Sequence, residues 1–127
     1  MAATSTPVIS PRQKEIVKDF QVQLDKHMAE LKEGLADRTF EIRDFAELLH
    51  IHPTHLSNTL AEVLGQSPCD LYENRLVALS KELLSTTSLP IAAIARQLYY
   101  DPSNFTKFFK HFEGITPKQF RQANSKI

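Results

Sequence analysis

Between Pro102 and Gly114 the chain reads Ser-Asn-Phe-Thr-Lys-Phe-Phe-Lys-His-Phe-Glu, with polar and cationic groups set among aromatic ones at helical intervals. If Phe105, Phe109 and Phe112 turn inward, the opposite face of that helix presents Ser103, Asn104, Thr106, Lys107, Lys110 and His111. Asparagine can pair with an adenine edge and lysine with guanine, each good contact giving roughly 1–3 kcal/mol of discrimination, and lysine can also neutralise phosphate. The bland alternative is that Lys107 and Lys110 are solvated helix charges. The phenylalanines could be taken for a platform that stacks single-stranded bases. Their spacing instead puts three of them in the core and leaves Phe108 to pack on a neighbouring helix or meet a partner.

A second polar face lies upstream, formed by Thr54, His55, Ser57, Asn58, Ala61 and Glu62. It offers hydroxyl and amide groups without a lysine or arginine, and Glu41 adds another negative charge, so electrostatics disfavours tight docking on a polyanion. Either it reads bases through Thr54, Ser57 and Asn58 with little backbone support, or it serves another partner. His50, His52 and His55 have a spacing that could ligate Zn²⁺, but two of them fall on a turn and no acidic or cysteine companion has metal spacing. No metal or other cofactor is therefore expected. Nor is catalysis, since three glycines supply no phosphate-cradling loop and no Ser/His/Asp or paired-carboxylate arrangement stands out.

The elements that must carry these faces form a unit written twice. Ile42 to Leu71 overlays Ile91 to Phe120 without a gap at an offset of 49 residues, matching Ile42, Ala46, Leu49, Pro53, Gly65 and Pro68 with Ile91, Ala95, Leu98, Pro102, Gly114 and Pro117. In each copy an i, i+3, i+4, i+7 apolar face marks a first helix: Ile42, Phe45, Ala46 and Leu49, or Ile91, Ile94, Ala95 and Leu98. A turn follows at 50–52 or 99–101. A second helix then opens on Pro53 or Pro102, buries Leu56, Leu60 and Val63 or Phe105, Phe109 and Phe112, and stops at Gly65 or Gly114. Asp101 is a good N-cap and His52 a poorer one. The pattern is a helix-turn-helix. Between the copies, Ser67-Pro68 starts a linker helix that runs to about Ser85 with Leu71, Tyr72, Leu76, Leu79 and Leu83 inward. Ser10-Pro11 with Gln13 starts a long N-terminal helix, striped by Ile16, Phe20, Leu24, Met28, Leu31 and Leu35 and ending near Gly34.

The expected organisation is a disordered tail over 1–9, then 10–87 holding the N-terminal helix, first motif and linker, then 88–127 holding the second motif and a C-terminal helix. Net charge is zero, yet residues 1–87 hold 9 basic and 13 acidic groups while 88–127 hold 6 and 2, so a polyanion would favour the second copy. No apolar run is long enough to span a bilayer and the N-terminus lacks a secretory pattern, so a cytoplasmic protein without a membrane partner is expected. The single Cys69 fits a reducing compartment.

The run Ile91-Ala-Ala-Ile-Ala-Arg-Gln-Leu-Tyr-Tyr-Asp-Pro-Ser-Asn-Phe-Thr-Lys-Phe-Phe-Lys-His-Phe-Glu-Gly-Ile-Thr-Pro-Lys-Gln-Phe-Arg121 closely resembles the signature of AraC/XylS-type bacterial transcription regulators. Arg75-Leu76, Ser80-Lys81 and Leu83-Leu84 look like that family's linker helix, and the resemblance spans about residues 38–122. It implies an all-α, homeodomain-like domain of about seven helices, two helix-turn-helix subdomains joined by the linker. It further implies a sequence-specific regulator of promoters that binds double-stranded DNA and usually contacts RNA polymerase. Family base-reading positions match Ser103, Asn104, Thr106 and Lys107, with Lys110 on phosphate. The first copy departs from the pattern: Asn58 stands where the family usually has Arg, Ala61-Glu62 where it usually has Lys or Arg, and His50 and Tyr99 replace a common glycine. The expectation is a regulator whose second motif dominates DNA affinity; the alternative is an AraC-like protein-interaction module with weak or lost DNA binding. A monomer is favoured, the N-terminal stripe closing the domain rather than dimerising. The chain is either a stand-alone regulator or a domain of a longer protein.

Overall fold

The computed structural model describes residues 8–126, and all of its regular structure is helical. The expected tail lies largely outside the described residues; Val8 and Ile9 carry no regular structure. Helix α1 (Pro11–Lys32) begins with a capping box in which the Gln13 amide donates to Ser10 Oγ and the Ser10 amide to Gln13 Oε1, both at 3.0 Å. Ile16, Phe20, Leu24, Met28 and Leu31 are buried along its stripe, joined by Val17 and His27. Leu35 is a correction to the stripe. It lies beyond the left-handed turn at Gly34 and is 76% exposed, because the helix has already ended at Lys32.

The two motifs repeat in register. Helices α2 (Ile42–Leu49) and α3 (Pro53–Leu64) form the first, and α5 (Ile91–Gln97) and α6 (Pro102–Glu113) the second, with α3 and α6 offset by 49 residues at both ends. The linker α4 (Pro68–Thr86) follows the first motif and α7 (Pro117–Asn124) the second. Sequence sets each start: Asp101 accepts the Ser103 amide at 3.1 Å, His52 accepts the Thr54 amide through Nδ1 at 3.1 Å, and Ser67 accepts the Asp70 amide at 3.1 Å. Both second helices end on a left-handed glycine, Gly65 and Gly114. The turns at His50 (φ 59) and Tyr99 (φ 64) adopt the same left-handed conformation without glycine's freedom.

One continuous core links all seven helices, with Phe20, Phe45, Leu56, Leu60, Leu76, Leu84, Ile94, Leu98, Phe105 and Phe109 at 2% exposure or less. Burying each such side chain contributes roughly 1.5–3 kcal/mol. Ala46 and Ala95, also buried, leave room for α2 and α5 to cross their partners closely. Helix α1 packs on α2, α3 and α4, while α4 packs on α5, α6 and α7, so the long helices brace the motifs from behind.

The phenylalanine assignment needs one correction. Phe105 and Phe109 are fully buried, but Phe112 is 38% exposed, and its ring packs on Phe108 and His111 in the last turn of α6 rather than beneath a neighbouring helix. Phe108 is half-buried and stacks on Tyr100 at 4.9 Å between centroids.

Candidate nucleic-acid interface

Burial of Phe105 and Phe109 turns the opposite face of α6 outward. Ser103, Asn104, Lys107, Lys110 and His111 are all exposed there. The Ser103 hydroxyl donates to Asp101 Oδ2 at 2.6 Å, so the capping carboxylate both satisfies the helix end and orients this side chain. That bond from Ser103 holds the Asp101 carboxyl below its ordinary range, helped by the Ser103 and Asn104 amides and by Arg96. Thr106 is half-buried and its hydroxyl donates back to the Pro102 carbonyl at 3.1 Å. Among the described residues neither Lys107 nor Lys110 forms an ion pair, which leaves both cations available to an incoming anion.

The α3 face differs in charge. Thr54, His55, Asn58, Ala61 and Glu62 are exposed, and Ser57, the repeat equivalent of Thr106, is likewise half-buried. Ser57 lines a cleft of about 370 Å³ together with Phe40, Phe45 and Tyr72. Glu62 accepts from Gln13 Nε2 at 2.6 Å, which ties it to the first turn of α1. Two cations of the first motif are already committed: Arg38 holds Asp44 through two bonds of 2.8 and 2.9 Å, and Arg43 pairs with Glu41 at 3.1 Å. The Arg38 hydrogen bond keeps the Asp44 carboxyl below its ordinary range and the guanidinium above its own. His52 is used as a cap, and among the described residues no group of three or more His, Cys, Asp or Glu side chains could hold a metal ion.

Several side chains that hold the faces in place carry little sequence signal. Arg121 donates to the carbonyls of Leu84 (3.0 Å), Leu89 (2.6 Å) and Thr87 (3.3 Å), gathering the end of α4 and the segment leading to α5. Lys81 of α4 pairs with Glu113 of α6 at 3.1 Å. His27 is buried between Phe40, stacked at 4.0 Å, and Tyr72, whose hydroxyl shares a hydrogen bond of 2.8 Å with Nε2. Burial pushes the Tyr72 hydroxyl up to about 12. A histidine or arginine at these positions reads from sequence as surface, and only the fold reveals the carbonyls and rings around it.

Two helix-turn-helix units repeated in register, carried on a linker helix and each exposing a polar second helix, define a double helix-turn-helix domain of the DNA-binding class. Residues 45–123 match a family model described as a helix-turn-helix domain. The chain belongs to this family, the AraC-type transcription regulators, which are not enzymes. It is 34% identical over 92 residues to the arabinose operon regulatory protein of Escherichia coli K12, covering 72% of this chain and 32% of that protein. It is 36% identical over 98 residues to the HTH-type transcriptional regulator YisR of Bacillus subtilis, covering 76% and 33%. The chain thus spans about one third of the length of these curated relatives. Among solved structures it resembles the C-terminal domain of AraT, a response regulator from Geobacillus stearothermophilus, with a TM-score of 0.76 at 28% identity over 95% of this chain and 92% of that one. The DNA-binding domain of AdpA, solved in complex with a target DNA, shares the fold with a TM-score of 0.68 at 17% identity, covering 90% and 93%. No helix among the described residues is long and apolar enough to cross a membrane.

Proposed function

We propose that this chain reads double-stranded promoter DNA in sequence-specific fashion and that α6 supplies most of its affinity. The observation that carries this reading is the α6 face itself: Lys107 and Lys110, exposed and unpaired among the described residues, follow the exposed amide of Asn104 at successive three-residue steps along the helix. Asn104 and Lys107 read base edges with Ser103 and Thr106, and Lys110 neutralises phosphate beside His111. On α3, Thr54, His55, Ser57 and Asn58 contribute base contacts with little support from cations. The regulator works in the cytoplasm as a monomer and contacts RNA polymerase from the promoter. Selection of bound sites from a random duplex pool tests the reading: an enriched motif should emerge, and Asn104→Ala should relax it at one position by roughly 1–3 kcal/mol.

A second reading is supported by the α3 face, which carries no lysine or arginine, and by Glu62, whose carboxylate adds negative charge to it. On that reading the chain docks on another protein and has lost strong DNA affinity. Failure of the selection to enrich any duplex, with a pull-down recovering a stable protein partner, would favour it.

A further inference from the structure

Chain connectivity joins the two motifs only through α4 and the segment leading from it to α5. A second connection runs from the end of α5 back to the end of α1. Gln97 Nε2 donates to the carbonyl oxygens of Leu31 (3.0 Å) and Lys32 (2.7 Å), carbonyls of the last helical turn of α1. Two residues on, the Tyr99 hydroxyl donates to the carbonyl of Ala36, in the segment between α1 and α2. Lys32 in turn pairs with Glu82 of α4 at 2.5 Å, so α1, α4 and α5 close a ring. Helix α1 is packed on the first motif and Gln97 belongs to the second, so these bonds cross between them.

Tyr99 holds φ 64, a conformation a tyrosine rarely adopts. A glycine would satisfy the backbone there without strain, so the turn alone does not explain the side chain. The contact with Ala36 does. His50, its repeat equivalent at φ 59, forms no such bond between motifs among the described residues.

We propose that Gln97 and Tyr99 form a clasp that fixes the second motif relative to the first, and so sets the separation of the two DNA half-sites that the chain accepts. They are positioning residues, remote in role from the base-reading side chains, and the inference rests on the proposed reading of duplex DNA. One inserted base pair moves a half-site by about 3.4 Å along the duplex and about 34° around it. A clasped molecule resists that displacement and loses the contacts of α3; without the clasp, the packing of the motifs on α1 and α4 is left to resist it.

The test compares the parent with Gln97→Ala/Tyr99→Phe, and with Gln97→Ala/Tyr99→Gly, which also removes every clasp bond and suits the left-handed turn. Affinity is measured for the selected duplex, for the same duplex with one base pair inserted between half-sites, and for the isolated half-site read by α6. In parallel, spin labels on Ala61→Cys and Lys118→Cys in a Cys69→Ser background report the distance distribution between motifs without DNA. In the parent, the insertion should cost about fivefold or more, the worth of one base contact, and the label distribution should be narrow. In both variants the penalty should fall below about twofold and the distribution broaden, with isolated half-site affinity unchanged. A spacing penalty or a narrow distribution retained in the variants would overturn the clasp, as would a loss of isolated-site affinity in both, which would make the pair a support of the second motif alone. If the parent binds no duplex, promoter reading fails, and the distance distribution decides the clasp by itself.

Discussion

His50 and Tyr99 occupy the same place in the repeat and the same left-handed backbone, but among the described residues only the Tyr99 side chain returns a hydrogen bond for it. The conformation costs a residue with a Cβ about 1–2 kcal/mol, partly offset by the extra freedom glycine brings to the unfolded chain. His50→Gly should therefore stabilise the fold by about 0.5–1 kcal/mol in a urea titration, and Tyr99→Gly should gain less because it forfeits the bond to Ala36. His27 is the other residue whose surroundings set its behaviour. Burial lowers its pKa below the ordinary 6.5, an effect that Arg38 reinforces and that Glu30 and Asp44 oppose, and its Nδ1 has no hydrogen-bond partner among the described residues. A lowered folded-state value means the unfolded chain takes up the proton first. Stability from this site is complete above about pH 6.5 and is lost as pH falls below it. Urea midpoints measured from pH 7.5 downward should show that loss, and His27→Gln should flatten it.

At the scale of elements, the duplication was legible because it is written in buried positions. The prolines, glycines and apolar faces that fix α2, α3, α5 and α6 fall at the same offset in the sequence and in the fold. Periodicity gives the direction of a side chain but not what lies over it. That is why Phe112, in the last turn of α6, comes out exposed, and why Leu35 continued a stripe whose helix had stopped. Contacts distant in sequence were illegible for the same reason: the three carbonyls under Arg121 come together only when α7 lies against the end of α4. Losing these charge-assisted bonds should make Arg121→Ala destabilising by roughly 2–3 kcal/mol, read from its urea midpoint. The candidate face on α6 could be read in advance because Phe105 and Phe109 settle which side is inward. Periodicity did not show that the Thr106 hydroxyl turns back to the Pro102 carbonyl or that Ser57 lines a cleft.

Across the whole molecule, a neutral chain divides its charge unevenly, with residues 1–87 at −4 and residues 88–127 at +4 from their Lys, Arg, Asp and Glu counts. The fold sharpens that division. Arg38 and Arg43 of the first motif are spent on Asp44 and Glu41, while the lysines of α6 are unpaired among the described residues. One scaffold, used twice, thus presents two surfaces of different electrostatic character, and the proposed dominance of the second follows from that difference. The most direct test is the salt dependence of binding to a selected duplex between about 50 and 200 mM salt, measured for the parent, Lys107→Ala/Lys110→Ala and His55→Ala/Asn58→Ala. Each phosphate contact contributes about 0.9 to the log–log slope, so loss of Lys110 should shrink it by about that much, and by up to about twice as much where Lys107 also meets phosphate, with affinity falling tenfold or more. The α3 variant should keep the parental slope. An α6 variant that binds with parental affinity and slope, or an α3 variant that loses more than it does, would contradict the dominance of α6.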